Sequence, residues 1–197
     1  MIKNLIIGGN SLIKKAIYFA ALRHDGQYRK GTKVPYFAHP VLVAFCVFKY
    51  STDENLLAAA ILHDILEDCP TVTKTELQKL FGSKVSKIVV EVSSINKKNK
   101  HQNWKEKKRA YLNQIKKISR NGLIVVAADK ITNMSGYFEG VQSLSVRETS
   151  KLFGGSLAEH FWYYREVLSV LKFGLKNHPI VKEYKKTILH YEMLKKK

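Results

Sequence analysis

The segment from Asp53 to Asp68 constrains the fold of this chain more than any other part of the sequence. It begins with aspartate, which caps helix N-termini well, and continues mainly with leucine, alanine and isoleucine. Every residue from Leu56 to Leu62 is apolar or small, as in a helix that is buried on most of its sides. We therefore predict one helix of about four turns across this segment.

The last turn of the predicted helix carries one imidazole and three carboxylates, from His63, Asp64, Glu67 and Asp68. Residues four apart share a helix face, so we expect His63 to stack under Glu67 and Asp64 to stack under Asp68. The four side chains would then form one polar patch. Buried carboxylates need a compensating cation, which a divalent metal ion supplies. A His-Asp pair alone more often lies at the surface or caps a helix, so a metal site requires further ligands elsewhere in the chain.

The composition fits one folded domain. With 197 residues, 45% of them hydrophobic, the chain is long and apolar enough to bury a substantial core. Its two cysteines, Cys46 and Cys69, lack CxxC spacing, which indicates reduced thiols and a cytoplasmic protein. The apolar stretch at the N-terminus is too short for a signal peptide, and no apolar run is long enough to span a membrane, so we expect no membrane partner.

The chain is strongly basic, since 34 basic minus 16 acidic residues gives a net charge of +18. Such a field attracts polyanions: nucleic acid, an anionic membrane surface or a small substrate rich in phosphate. The excess also fits a lysine-rich source composition without a particular partner. The most basic run spans residues 96–109, where we expect a solvated loop that leads into a helix from about Trp104 to Ser119.

Periodicity and capping residues predict several further helices. We expect them from Ser11 to near His24, from His39–Pro40 through Phe48, from Thr73 to Gly82, from 83 to 95, from Leu157 to Phe173 and from Ile180 to Leu194. The loop between the first two contains glycine and proline and carries Arg29 and Lys30.

The middle of the chain is harder to assign. Asn121–Gly122 predicts a turn, and the apolar run Leu123–Ala128 after it fits either a buried strand or a buried helix. In the helical case Asp129 and Asn133 share a face. Two further interruptions are predicted, a loop from Gly136 to Thr149 and a break at Gly154–Gly155.

Three separated motifs resemble the HD hydrolase domain of the RelA/SpoT family. The motifs are residues 16–32 with Pro35–Pro40, then Ala60–Asp68, then Ala128–Met134. The resemblance covers roughly residues 12–172 and leaves a C-terminal helical extension at 173–197. Because no synthetase segment follows, residues 1–197 resemble a stand-alone small alarmone hydrolase with a single HD domain. Because the three motifs occur in the expected order, purely structural roles for His39 and His63 are much less favoured than metal binding.

The resemblance implies an all-α helical bundle that binds one Mn²⁺ ion, a metal suited to imidazole and carboxylate ligands. The implied ligands are His39, His63, Asp64 and Asp129. The implied residues that position or activate the attacking water are Glu67 and Asp68. The implied nucleotide contacts are Arg29, Lys30 and Asn133. Tyr163 lies in a segment that resembles the family's aromatic-rich closing helix, where it either touches the nucleotide or packs in the core.

Two departures from the family pattern bear on the choice of nucleotide. Val126-Ala127-Ala128 stands where the family commonly has Lys-Leu-Ala, so one basic residue is missing. Thr132 stands where many relatives have an aromatic residue or histidine. Neither change touches the implied metal ligands, but both bear on which base and phosphates are recognised.

The sequence therefore predicts an Mn²⁺-dependent 3′-pyrophosphohydrolase that degrades the alarmones ppGpp and pppGpp to GDP or GTP and pyrophosphate. One alternative is the same chemistry on an adenosine alarmone or NADPH. The other is a basic RNA-binding module with a relic site, but the complete set of site residues makes nucleic acid the less favoured partner. The protein partners that the resemblance allows are a cognate alarmone synthetase, which the enzyme would counter, and a second copy of the chain.

Overall fold

The chain folds into α-helices, as the sequence predicts. The computed structural model describes residues 11–94 and 103–194. Within these ranges the helices are joined by short connections, and one isolated antiparallel bridge pairs Tyr28 with Pro35. The helices are α1 (Leu12–Arg23), α2 (Ala38–Phe48), α3 (Glu54–Ile61), α4 (Ile65–Asp68), α5 (Lys74–Val92), α6 (Trp104–Ile115), α7 (Arg120–Ser143), α8 (Val146–Phe153), α9 (Leu157–Leu175) and α10 (Pro179–Leu194). None of these helices combines the length and the apolar character needed to cross a membrane.

The helices group into two compact units. The first unit comprises Met1–Arg29 and Lys33–Ser93, and the second comprises Lys30–Thr32 and Ser94–Lys197. The single domain expected for residues 1–197 and the boundary of its C-terminal extension stay predictions.

Helix α3 is the centre of the first unit and packs against α1, α2 and α5. Each residue from Leu56 to Leu62 is buried, and Ala58, Ala59 and Ala60 are completely inaccessible, so that neighbouring helices approach this helix closely. The carboxylate of Asp53 accepts a hydrogen bond from the main-chain amide of Asn55 at 2.9 Å, which satisfies one of the unpaired donors at the helix start. The predicted N-cap and the predicted burial are both confirmed.

The prediction of one four-turn helix is wrong, because α3 ends at Ile61 and a separate turn, α4, follows. The ring nitrogen Nδ1 of His63 lies 2.8 Å from the carbonyl oxygen of Ala60. In a continuous α-helix that carbonyl would accept from the amide of Asp64. The histidine side chain takes over this bond. One α-helical i, i+4 hydrogen bond remains in the following turn, from the amide of Asp68 to the carbonyl of Asp64 at 2.9 Å.

Helix α5 contains the break that the sequence predicts. Thr73 caps its start through a hydrogen bond that its hydroxyl accepts from the amide of Glu76 at 3.1 Å. Gly82 has a φ of +83° and a non-helical ψ, which divides the element into two helical segments. The second segment is helical to Val92 as expected, and its predicted end at residue 95 lies outside the described residues.

The second unit is built around α7, which packs against α8, α9 and α10. The apolar run Leu123–Ala128 is helical and fully buried, which settles the choice between strand and helix. The turn predicted at Asn121–Gly122 is wrong, because both residues lie in the first turn of α7. The hydroxyl of Ser119 accepts from the amide of Gly122 at 3.2 Å and thereby caps this helix, while α6 already ends at Ile115.

The loop predicted from Gly136 to Thr149 is also wrong. Helix α7 continues to Ser143, and α8 begins at Val146 after Ser145, whose hydroxyl accepts from the amide of Glu148. The break at Gly154–Gly155 is confirmed, since both glycines have a φ of +72°. The predicted helices α9 and α10 are present, whereas residues 96–102 of the predicted basic loop lie outside the described residues.

Replacing Gly82 with alanine tests whether backbone conformation maintains the break in α5. Apart from its chain neighbours, no described atom lies within 4 Å of the added Cβ, so the positive φ is the main obstacle. We expect Gly82→Ala to lower the free energy of unfolding by about 1–3 kcal/mol, measured by thermal and denaturant unfolding. Lys87→Ala, at an exposed position of the same helix, should change it by less than about 0.5 kcal/mol. Equal stability of the two variants would contradict the prediction.

Candidate metal-binding site

His39 lies in the first turn of α2, where the following residue, Pro40, is tolerated because its missing amide needs no partner there. The side chain of His39 is buried, with 2% of its surface exposed. The residue follows the loop of Arg29, whose main-chain amide donates to the carbonyl of Val34 at 2.9 Å. The loop that contains Arg29 thus leads directly into the helix turn that holds the buried imidazole of His39.

His63 occupies the turn between α3 and α4 and is also buried. A carbonyl oxygen only accepts hydrogen bonds, so the contact of 2.8 Å between Nδ1 and the carbonyl of Ala60 places a proton on Nδ1. In the neutral ring the lone pair is then on Nε2. A hydrogen bond from the ring nitrogen that does not bind the metal is the usual way in which a protein orients a metal-ligating histidine.

Asp64 brings a carboxylate against both imidazoles. Its Oδ2 lies 3.1 Å from Nε2 of His63 and 3.7 Å from Nε2 of His39. One ring nitrogen of each histidine lies within 4.8 Å of the other, close enough for both to hold one metal ion. A lone pair on Nε2 repels a carboxylate oxygen at 3.1 Å unless a positive charge, either a proton or a metal ion, lies between them. The three residues therefore fit a divalent metal ion chemically.

Tyr36 is a residue of this site that the sequence reasoning missed. Its hydroxyl donates to Oδ2 of Asp64 at 2.5 Å, and the guanidinium of Arg29 lies 5.7 Å from the centre of its ring. Tyr36 thus connects a predicted nucleotide contact with a predicted metal ligand. Its position three residues before His39 in a motif with Pro35 was a usable signal, but nothing in the sequence shows that the hydroxyl points to Asp64.

Glu67 and Asp68 form the end of the single turn α4 and are half-buried. Their main-chain amides both donate to the carbonyl of Asp64, at 2.9 Å each. The two carboxylates therefore lie in the turn that directly follows two of the predicted metal ligands, His63 and Asp64, and are partly open to solvent.

Asp129 lies on α7 in the second unit and is buried, with 6% of its surface exposed. Its Oδ1 accepts from the side-chain amide of Asn133 and its Oδ2 contacts the ammonium of Lys130, both at 2.5 Å. The shared face predicted for Asp129 and Asn133 is confirmed. Both carboxylate oxygens of this buried side chain therefore contact a donor.

Lys130 was not predicted as a site residue. Burial alone lowers the pKa of its ammonium group, but Asp129, Tyr163 and Tyr111 together outweigh burial, so its pKa lies well above the ordinary value. The ammonium also lies 5.1 Å from the ring centre of Tyr111. Lys130 is therefore a charged cation beside Asp129.

Tyr163 and Lys30 complete the predicted contacts in the second unit. Tyr163 is buried on α9 with 2% of its surface exposed, and the ammonium of Lys108 lies 4.7 Å from its ring centre. This burial fits both alternatives for Tyr163, packing in the core and contact with the nucleotide. Lys30 is exposed to solvent.

An all-α bundle with two buried histidines and an adjacent aspartate has the features of a metal-dependent hydrolase. The chain belongs to the HD-domain family, whose model matches residues 16–158, more than half of the chain. This family is an all-α fold of metal-dependent phosphohydrolases. The predicted fold class is therefore confirmed.

The chain is related in sequence to named alarmone enzymes. A Mycoplasma pneumoniae protein named as a probable guanosine-3′,5′-bis(diphosphate) 3′-pyrophosphohydrolase is 31% identical over 154 residues, which are 73% of this chain and 21% of that protein. The bifunctional (p)ppGpp synthase/hydrolase SpoT of Escherichia coli is 31% identical over 128 residues, 62% of this chain and 17% of SpoT. The chain thus spans about a fifth of the length of these curated relatives.

Two solved structures have a similar fold. A metazoan ortholog of SpoT, described as hydrolysing ppGpp, matches with a TM-score of 0.71 at 23% identity, covering 94% of this chain and 97% of that one. A Listeria monocytogenes protein matches with a TM-score of 0.66 at 25% identity, covering 81% and 99%. These likenesses support the assignment of the fold.

Removing a predicted ligand should remove the metal. We expect His63→Ala and Asp64→Ala each to lower the affinity for Mn²⁺ by at least about tenfold, because loss of even a supporting partner costs that much. Metal content after dialysis, measured by mass spectrometry, gives the answer without any assay of activity. His190→Ala, at an exposed position on α10, is the matched control and should retain the wild-type content. Full occupancy in both site variants would refute the ligand assignment.

Proposed function

We propose that this protein is an Mn²⁺-dependent phosphohydrolase that removes the 3′-pyrophosphate of ppGpp or pppGpp and leaves GDP or GTP. The observation that carries the proposal is the convergence of Nε2 of His39, Nε2 of His63 and Oδ2 of Asp64, in a chain of the HD-domain family. The names of the relatives support the alarmone as substrate.

The proposed metal ligands are His39, His63, Asp64 and Asp129. Two neutral imidazoles and two carboxylates suit a borderline divalent metal such as Mn²⁺ and leave coordination positions open. When bound, the ion would acidify a water molecule and offset the charge that develops on phosphate oxygens. The protein contributes orientation: Ala60 holds the ring of His63, and the hydroxyl of Tyr36 holds the carboxylate of Asp64.

Glu67 and Asp68 are the residues proposed to activate and position the attacking water. The oxygen of the attacking water forms a bond to the phosphorus atom next to the 3′ oxygen, and the bond from that phosphorus to the 3′ oxygen breaks. A carboxylate oxygen of Glu67 accepts the proton that the water loses and returns it to the 3′ oxygen of the departing nucleotide. Asp68, the next residue of the turn, holds the water in line for attack.

Arg29, Lys30, Asn133 and Tyr163 are the proposed nucleotide contacts. The planar guanidinium of Arg29 both stacks on aromatic rings and donates to phosphate oxygens, and it already lies over the ring of Tyr36. A net charge of +18 raises the local concentration of a highly anionic alarmone. A cytoplasmic location and a cognate synthetase that the enzyme counters are parts of the same proposal.

A substrate panel tests the proposal directly. Purified protein with Mn²⁺ should release pyrophosphate from ppGpp and pppGpp, monitored by ion-exchange chromatography of the nucleotides. The panel includes an adenosine alarmone and NADPH, and preferential turnover of either would reassign the substrate. Salt-sensitive binding of RNA without turnover of any nucleotide would instead support a binding module with a relic site.

Replacing Glu67 separates metal binding from proton transfer. We expect Glu67→Ala to keep wild-type Mn²⁺ content and to lower kcat by at least about 100-fold, the low end for a positioned general base. Glu91→Ala, at a half-buried position near the end of α5, serves as the control for loss of one carboxylate in the same unit. Near-normal turnover of Glu67→Ala would move the role of proton acceptor to Asp68.

Replacing Arg29 tests whether substrate recognition uses a specific cation. We expect Arg29→Ala to raise KM for ppGpp at least about tenfold, equivalent to about 1.4 kcal/mol of binding, with unchanged metal content. The matched control is Lys33→Ala, which removes the same charge from an exposed position of the same loop. Because exposed charges are screened, it should change KM little at moderate salt. Equal effects would mean that the overall field, and not Arg29, attracts the substrate.

A further inference from the structure

Helix α4 needs support from outside itself. It has four residues, Ile65–Asp68, whereas an isolated helix needs roughly 12–15 residues to be even marginally stable in water. Ile65 anchors its start in the core, and Cys69 is buried directly after its end. The position of the Glu67 and Asp68 carboxylates therefore depends on what holds this end.

Gln27 makes a direct connection to the end of α4. Its Nε2 donates to the main-chain carbonyl of Asp68 at 3.0 Å, and its Oε1 lies 2.8 Å from Nδ1 of His24. The carbonyls of the last helical turn lack donors within the helix, so a side-chain amide is a fitting partner for this one. The loop after α1 and the turn that carries the acidic pair are thus joined by one side chain.

Only one orientation of the Gln27 amide satisfies both contacts. The carbonyl of Asp68 requires a donor, so the NH₂ group must face it, and the oxygen then faces His24. That oxygen only accepts, so Nδ1 of His24 donates. His24 is buried, with 2% of its surface exposed, and its ring centre lies 4.9 Å from that of Tyr36. The imidazole is therefore enclosed and holds Gln27 in this orientation.

A second contact joins the same two segments. The thiol of Cys69 donates to the carbonyl of Arg23 at 3.1 Å, at the last residue of α1. The guanidinium of Arg23 in turn bonds the carboxylate of Glu76 on α5 at 2.7 Å. The end of α1 is thereby tied to α4 and to α5, which makes it a firm support for Gln27.

We propose that Gln27, oriented by His24, is a positioning residue that holds Glu67 and Asp68 where hydrolysis requires them. The proposal rests on the proposed function, because it assigns Gln27 to the reaction of that site. Gln27 bonds the main chain of Asp68, so its loss releases the end of α4 that carries Glu67 and Asp68, whereas the bonds from His63 to Ala60 and from Tyr36 to Asp64 do not involve Gln27. The consequence is an effect on kcat that is separate from metal binding.

Two variants test the donor of Gln27. Gln27→Leu removes both polar atoms, and Gln27→Glu keeps an acceptor for His24 while placing a carboxylate oxygen against the carbonyl of Asp68. We expect both to lower kcat at least about tenfold while KM for ppGpp and Mn²⁺ content stay within about twofold. Gln78→Leu, at an exposed position on α5, is the matched control and should retain wild-type kcat. Wild-type kcat in Gln27→Leu, or loss of metal in parallel with kcat, would overturn the proposal.

Hydrogen exchange gives a readout that does not need turnover. In Gln27→Leu, the amides of residues 64–69 should exchange faster than in the wild type, while those of Val41–Phe48 in α2 should not change. Unchanged exchange at 64–69 would overturn the proposal even if kcat falls. If the wild type releases no pyrophosphate from ppGpp, the proposed function fails, and the exchange experiment still decides whether Gln27 holds the turn.

Discussion

The hydrogen bond between Nδ1 of His63 and the carbonyl of Ala60 is the interaction on which the rest of the first unit's site depends. It diverts a carbonyl that a longer helix would use, so α3 ends and the chain turns. The same bond assigns the ring proton to Nδ1 and leaves Nε2 for a ligand. One contact thus decides where the helix stops, which way the imidazole faces and where Asp64 lies.

This termination has a structural cost and a functional use. A continuous helix would hold Glu67 and Asp68 through its own hydrogen bonds, whereas a single turn relies on its surroundings. Here Ile65 is fully buried and Gln27 bonds the last carbonyl, so tertiary contacts add to the few hydrogen bonds of the turn itself. The functional use is that Glu67 and Asp68 are separated from His63 by a turn. Their positions relative to His63 are therefore not set by the geometry of a continuous helix.

In the second unit, hydrogen bonding and ion pairing of a buried carboxylate fix the position of Asp129. Helix α7 is buried along Leu123–Ala128, and Asp129 is buried directly after this run. A buried carboxylate is costly unless it is paired. Lys130 and Asn133 pair it, with one donor to each carboxylate oxygen. The motif therefore keeps a cation next to Asp129.

Local signals in the sequence were sufficient for much of the fold and for a proposal of the site residues. Capping by Asp53 and Thr73, the glycine break at Gly82 and the apolar periodicity of α9 and α10 act between near neighbours, so they can be recognised in one dimension. The motifs likewise identify His39, His63, Asp64 and Asp129 as candidate ligands. The tertiary structure alone decided that α3 stops at Ile61 and that α7 runs through Asn121–Gly122. It also revealed the roles of Tyr36, Gln27 and Lys130. The first two act on partners 28 and 41 residues away, and Lys130 depends on burial that its neighbours in sequence do not show. Contacts over such separations depend on how helices pack, and packing is set by the whole core.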